Sequence, residues 1–241
     1  MEINKPGPDE LKEHDIKSLL LELWQLIILN LPKTLSMRTE VNWKPDGSPV
    51  TNADIWHEKL ISKFLMNKLP GIQIIAEESY TKDIKLKKGW IAIVDPIDST
   101  ENFASGLKEW GVAISIWKED KHIASSLYLP ELNEYIISGQ KLLKYSSRII
   151  GLSSSYNQEI GKIIQENTES RIMGCCVYNT FNVIKGSYKQ FINPKGAYCW
   201  DLQASIMLAL EHSCIVKVNG NEYDGKLLEP NKRHCISIFN K

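Results

Sequence analysis

The chain has no excess charge of either sign, because 29 Lys and Arg residues balance 29 Asp and Glu. That balance removes the electrostatic footprint expected of a protein that grips a nucleic-acid polymer. Cysteine is scarce and unpatterned. The five thiols, Cys175, Cys176, Cys199, Cys214 and Cys235, form no Cys-x-x-Cys pair, and an odd number argues against a complete disulfide framework. Buried thiols in a reducing compartment are the simpler reading. Long apolar runs are missing as well. Leu19 to Leu31 comes nearest, but Glu22, Gln25 and Asn30 interrupt it short of a bilayer span. Met1 to Pro6 lacks the basic-then-apolar pattern of a signal peptide. These absences predict a cytoplasmic protein with no membrane partner. No repeat, low-complexity tract or long linker breaks the chain. The histidines, His14, His57, His122, His212 and His234, are scattered and pair with nothing obvious.

What is present reads as an ordinary folded chain, with 43% hydrophobic and 24% charged residues making disorder untenable. Its 241 residues suit one large domain or two small ones sharing a core. Leu19, Leu20, Leu23, Trp24 and Ile27 share a face at helical spacing, predicting a helix over Asp9 to Asn30 that stops before Pro32. Arg38 to Ser48 is polar, with a turn signal at Asp46-Gly47. Thr51 or Asn52 caps a second helix ending near Leu69. Ile72 to Ala76 is a short strand before Glu77-Glu78. Gly111 to Trp117, His122 to Leu129 and Glu134 to Ser138 read as successive antiparallel strands. Strands over Arg148 to Leu152, Lys189 to Ile192 and Ile215 to Val218 alternate with helices over Tyr156 to Gln165, Cys175 to Lys185 and Cys199 to Glu211. This order predicts an α/β protein in two layered halves, 1–145 and 146–241.

The most informative segment is Trp90 to Thr100, reading Trp-Ile-Ala-Ile-Val-Asp-Pro-Ile-Asp-Ser-Thr. A buried strand ends in two carboxylates, Asp95 and Asp98, and a helix start follows. Strand ends are where α/β folds bind ligands, and carboxylates there suit Mg²⁺ with phosphate in its open positions. Glu77-Glu78, Asp201 after Trp200, and Asp54 in the Asp46 to Asp54 segment add acids in the same setting. Each alone is explained by solvation or by a helix dipole. Together they form one oxygen-rich constellation.

With these motifs in order, the chain resembles the inositol monophosphatase superfamily of Mg²⁺-dependent, lithium-sensitive phosphatases. The match comprises Ala76-Glu77-Glu78-Ser79, Asp95-Pro96-Ile97-Asp98-Ser99-Thr100, Trp200-Asp201 and the segment from Asp46 to Asp54. The resemblance implies the layered α+β sandwich shared with fructose-1,6-bisphosphatases, two or three Mg²⁺ ions, a small phosphorylated substrate and a homodimer. It implies that Glu77, Asp95 and the Ile97 carbonyl hold one ion, and that Asp95, Asp98 and Asp201 hold a second. Thr100, oriented by Asp54, would prepare the attacking water together with Glu77. The Ser99 and Thr100 amides would receive phosphate oxygens. Asp98, Cys176, Pro194 and Asp201 would face the substrate. Two metals about 3.5–4 Å apart can serve both the entering and the leaving oxygen.

Ser99 stands where the family carries Gly; if that position has positive φ, the serine costs about 1–2 kcal/mol. Pro194 stands where inositol phosphatases carry a glutamate that contacts ring hydroxyls, and Pro194-Lys195 echoes a Pro-Arg pair of the 3′(2′),5′-bisphosphate nucleotidases. A polyol or sugar phosphate is the leading substrate class, and a nucleoside bisphosphate is the alternative. A member that binds metal or ligand without turnover is the alternative from another class. Cys175-Cys176 reads as small packed residues rather than a reactive pair. Lys82 to Lys88, with four lysines, is a solvated loop able to steer an anion.

Overall fold

The computed structural model describes residues 13–154, 157–167 and 169–241. Helix α1 (Glu13–Ser36) buries Ile16, Leu20, Leu23 and Ile27 along one stripe, as their spacing requires. It runs past the stop expected at Pro32. The ring removes one amide, yet Thr34 Oγ1 donates to the Asn30 carbonyl at 3.2 Å and the last turn holds. The start expected at Asp9 lies outside the described residues. The polar stretch that follows is a short antiparallel hairpin, β1 (Val41–Trp43) with β2 (Pro49–Thr51). Helix α2 (Asn52–Lys68) starts on a Thr51 cap and ends before Pro70-Gly71.

A five-stranded sheet comes next. It contains β3 (Gln73–Ala76), β4 (Trp90–Asp98), β5 (Gly111–Lys118), β6 (Lys121–Leu129) and β7 (Glu134–Ile137), hydrogen-bonded in that order. Helix α3 (Thr100–Ala104) leaves the end of β4. Only β3 and β4 run parallel, so the antiparallel run read from the sequence is present. All nine residues of β4 are buried, which means both its faces are covered. Ala92 and Val94 pack with α1 and α2, whereas Ile91 and Ile93 face the opposite core.

The remaining strands form a second sheet. They are β8 (Ile150–Leu152), β9 (Ser170–Ile172), β10 (Gln190–Ala197), β11 (Ile215–Val218), β12 (Asn221–Glu222) and β13 (His234–Phe239). The order is β12-β11-β13-β10-β8-β9. β13 lies beyond the last strand read from the sequence, and pairing with it carries β10 five residues past Ile192. Helices α5 (Cys176–Ile184) and α6 (Cys199–Glu211) fill the space between the two sheets. Helix α4 (Gln158–Glu166) packs Ile160 on Ile150 and Leu152. Phe191 and Ile192 belong to different cores, so α4 covers the outer face of the second sheet. The result is five layers, helix and sheet alternating. No helix among the described residues is long and apolar enough to cross a membrane.

Two glycines test this packing in opposite directions. A Cβ on Gly111 of β5 would meet Val177 Cγ1 at 2.3 Å and the Tyr128 carbonyl oxygen at 2.9 Å, whereas one on Gly161 of α4 would meet nothing within 4 Å. Gly111→Ala therefore destabilises the fold by about 1–3 kcal/mol. Gly161→Ala stabilises it by about 1 kcal/mol. Urea unfolding of the two variants reads both signs; a neutral Gly111→Ala would contradict the close approach of α5 to the sheet.

Candidate metal centre

Asp95 continues the alternation of Ile91 and Ile93, so its side chain points toward the layer that holds α6. Asp98 is three positions on and in a regular strand would point away. The pairing with β5 shifts here: Asp95 lies opposite Ala113 but Asp98 lies opposite Gly111. Three steps on β4 match two on β5, and this bulge returns Asp98 to the face of Asp95. Glu77 follows the last residue of β3, its amide donating to the Val94 carbonyl at 3.3 Å. Asp201 sits in the first turn of α6 and accepts from the Tyr198 amide at 2.7 Å. One oxygen each from Glu77, Asp95 and Asp201 lies within 4.8 Å of the others.

Asp98 is adjacent but is held differently. Its Oδ2 accepts from the Val177 amide at 2.5 Å and from the Cys175 thiol at 2.9 Å, tying it to the start of α5. Asp95 Oδ1 accepts from the Ile97 amide at 3.1 Å, while Asp95 Oδ2 is buried with no hydrogen-bond partner. Burial, then the neighbouring acids, push Asp95 and Asp201 well above the usual carboxylate range. Glu77 is raised mainly by burial, and Asp98 is raised to about 6, again chiefly by burial. Hard oxygen donors only, one of them orphaned, held together against their repulsion, fit a divalent cation such as Mg²⁺.

Beside this centre runs a fixed chain of hydrogen bonds. Thr100 Oγ1 donates to Asp54 Oδ1 at 2.7 Å, and Asp54 Oδ2 accepts from the amide and hydroxyl of Thr51 at 2.7 and 2.5 Å. With its proton committed to Asp54, the Thr100 hydroxyl offers only lone pairs outward. Asp54 owes its place to α2, where it completes a capping box with Thr51. Ser99 adopts φ 72° and ψ 62° at the start of α3 and makes no side-chain cap. It therefore carries the left-handed strain foreseen for a serine in a glycine position.

A cavity of about 560 Å³ opens on Glu77, Asp98 and Asp201, and Ser99 and Cys176 line it too. Ile97 and Thr100 line a second opening that shares Glu77, Ser99 and Asp201. Pro194 is not brought to this cavity. It lines a separate hollow with Lys217 and Cys235, and its carbonyl accepts from the Cys235 thiol at 3.0 Å. The bulge of β10 between Asn193 and Ala197 turns it there. Cys175 caps α5, and burial, then Asp98, raise its thiol; it is packed and inert.

Two residues beside the centre, Lys44 and His57, were not read from the sequence as part of it. Lys44 Nζ bridges Glu77 Oε1 and Glu78 Oε1 at 2.8 and 2.9 Å. Burial opposes its charge, but the two glutamates outweigh that and hold its pKa above the ordinary lysine value. Burial, then Glu77, raise Glu78 to about 7. His57, expected to pair with nothing, is wholly buried with Nδ1 2.9 Å from the Pro96 carbonyl, and burial lowers it to about 4. The Lys44-Pro45-Asp46-Gly47 turn was visible in the sequence; only folding shows where its lysine reaches.

Comparison with known proteins places these motifs in context. The inositol monophosphatase family profile matches residues 8–236. A 3′(2′),5′-bisphosphate nucleotidase CysQ from Haemophilus influenzae is 26% identical over 125 residues, 51% of this chain and 46% of that protein. Inositol monophosphatase 2 from Saccharomyces cerevisiae is 27% identical over 158 residues, 62% of this chain and 51% of that protein. The chain thus spans about half the length of these two curated relatives. A staphylococcal inositol monophosphatase-1 crystal structure in a lithium-soaked inhibitory complex superposes with a TM-score of 0.81 at 22% identity, covering 96% of this chain and 92% of that one.

Ser99→Gly relieves the left-handed strain and raises stability by about 1 kcal/mol, read by urea unfolding. The raised carboxyls set a pH dependence of definite sign. Their neutral forms contribute stability that is complete below the ordinary values of 3.8 and 4.5 and is lost as pH climbs through about 6 for Asp98 and about 7 for Glu78. The cation-free protein should therefore melt at progressively lower temperature from pH 4.5 to about 7, and Mg²⁺ should reverse much of the loss. A melting temperature that rises with pH in the absence of cation would contradict this balance.

Proposed function

The chain belongs to the inositol monophosphatase family, and from that membership we propose that it hydrolyses a small phosphomonoester with Mg²⁺ as cofactor. The observation that carries this reading is the buried, partnerless Asp95 Oδ2 among Glu77, Asp98 and Asp201, next to the Thr100–Asp54 pair. Such crowding costs stability unless cations neutralise it. That argument weighs against a member that only retains the motifs.

Glu77, Asp95 and the Ile97 carbonyl would hold one ion, Asp95, Asp98 and Asp201 a second, and Glu77 would assist a third. Bound there, the cations supply charge neutralisation for phosphoryl oxygens and a water of lowered pKa. The chain's own groups do the remaining work. The Thr100 hydroxyl, its proton held by Asp54, accepts a hydrogen bond from the attacking water and fixes its direction. Glu77, raised by burial, stands ready to take that water's proton. The Ser99 and Thr100 amides at the start of α3 would receive phosphate oxygens. Cys176 lines the cavity and would face the substrate.

For the substrate, a polyol or sugar phosphate such as inositol monophosphate is the leading class. A 3′(2′),5′-bisphosphate nucleotidase is the second reading, favoured by the likeness to CysQ. The halves 1–145 and 146–241, a homodimer, lithium inhibition and a cytoplasmic location complete the proposal. Four buried free cysteines support the reducing compartment.

The test is phosphate release from inositol 1-phosphate, sugar phosphates and adenosine 3′,5′-bisphosphate, with and without Mg²⁺ and Li⁺. Asp95→Asn should abolish release. Thr100→Val should lower kcat by about a hundredfold or more while calorimetry still registers Mg²⁺ binding. Metal binding with no release from any substrate would overturn the phosphatase reading in favour of a binding protein.

A further inference from the structure

Two cations that line the cavity, Lys82 and Arg233, form no ion pair among the described residues. Lys44 is committed to Glu77 and Glu78. Arg233, the residue before β13, lines the same cavity as Asp98 and Asp201 yet forms no ion pair among the described residues. Its position is nevertheless fixed. The guanidinium carbon lies 4.6 Å from the centroid of the Tyr198 ring, and Nη1 donates to the Gly196 carbonyl at 3.1 Å. Among the described residues one of its five donors is used, the ring supports the guanidinium, and the residue is exposed.

The aromatic support continues toward the carboxylates. Tyr198 stacks on Trp200 with centroids 4.9 Å apart, and Trp200 meets Tyr80 at 5.0 Å. Lys82, from the lysine-rich run, borders the same cavity. One cavity thus brings together carboxylates suited to cations, the aromatic rings of Tyr80, Tyr198 and Trp200, and a guanidinium with open donors. Arg233 also lies near enough to Asp201 to favour that residue's charged form. A planar, weakly hydrated fork supported by a ring is suited to bind a phosphate or carboxylate through paired hydrogen bonds.

We propose that Arg233, positioned by Tyr198 and Gly196, is a second-anion subsite, which selects substrates whose leaving alcohol carries another phosphate. This rests on the phosphatase reading for the identity of the first phosphate. The shared chemistry is a phosphomonoester with a second phosphoryl group, on either a sugar or a nucleoside.

The experiment compares wild type, Arg233→Gln and Arg233→Lys on inositol 1-phosphate, fructose 1,6-bisphosphate and adenosine 3′,5′-bisphosphate. Arg233→Gln should lower kcat/KM about tenfold to a hundredfold on a bisphosphate, mainly through KM, with inositol 1-phosphate changed less than about twofold. Arg233→Lys, which keeps the charge but not the fork, should recover part of the loss. The bisphosphate that suffers more identifies the scaffold. Equal losses on all three substrates, or no loss on either bisphosphate, would overturn the subsite and leave the phosphatase intact. Should wild type release phosphate from none of them, calorimetric binding of adenosine 3′,5′-bisphosphate with Mg²⁺ decides. Binding weakened by Arg233→Gln upholds the subsite while the phosphatase reading fails. Binding that is unchanged or absent overturns both.

Discussion

Mutual repulsion among buried carboxylates is the constraint around which this molecule is organised. Asp95 is fully buried, has one oxygen without a partner, and faces Glu77, Asp98 and Asp201. Left alone, such a group would be driven to stay neutral. The surrounding fold resists relaxation: β4 is covered on both faces, and the acids enter from three separate elements. Lys44 supplies one positive charge, but to Glu77 and Glu78 at the rim. The deeper acids are left in want of a cation, which is a physical basis for a metal centre independent of any family likeness.

The geometry follows from a few local devices. A strand alternates its side chains, so Asp95 and Asp98 cannot share a face unless the strand is bulged. The shift against Gly111 does this, and Gly111 also lets Val177 approach closely enough for its amide to hold Asp98. Capping is the second device. Asp54 and Asp201 both occupy the first turn of a helix and accept the amide three residues before them. Each is aimed by a backbone bond rather than by a flexible chain.

Opposite chemistries line one cavity. The carboxylates are aimed by backbone hydrogen bonds, whereas Arg233 rests on stacked rings and keeps open donors. Ser99 lines the same cavity in a left-handed conformation that a glycine would adopt without strain. The strain persists because α3 and β4 on either side fix the turn.

Sequence alone determined the chemistry and much of the framework. Asp95-Pro96-Ile97-Asp98, Glu77-Glu78 and Trp200-Asp201 are local patterns, and their residue types specify oxygen donors whatever the fold. The helix over Cys199–Glu211 and the strand over Ile215–Val218 were also legible, because periodicity and capping act within a few residues. Tertiary structure alone decided the rest. Whether Pro194 reached the cavity depended on a bulge in β10. Lys44 and Arg233 are ordinary surface cations in the sequence. Only the folded chain shows that one is paired with two glutamates and that the other, bonded to the Gly196 carbonyl, forms no ion pair among the described residues, since those contacts join residues up to 34 and 37 positions apart. Local pattern can announce a donor, but the balance of charge around it is a property of elements brought together.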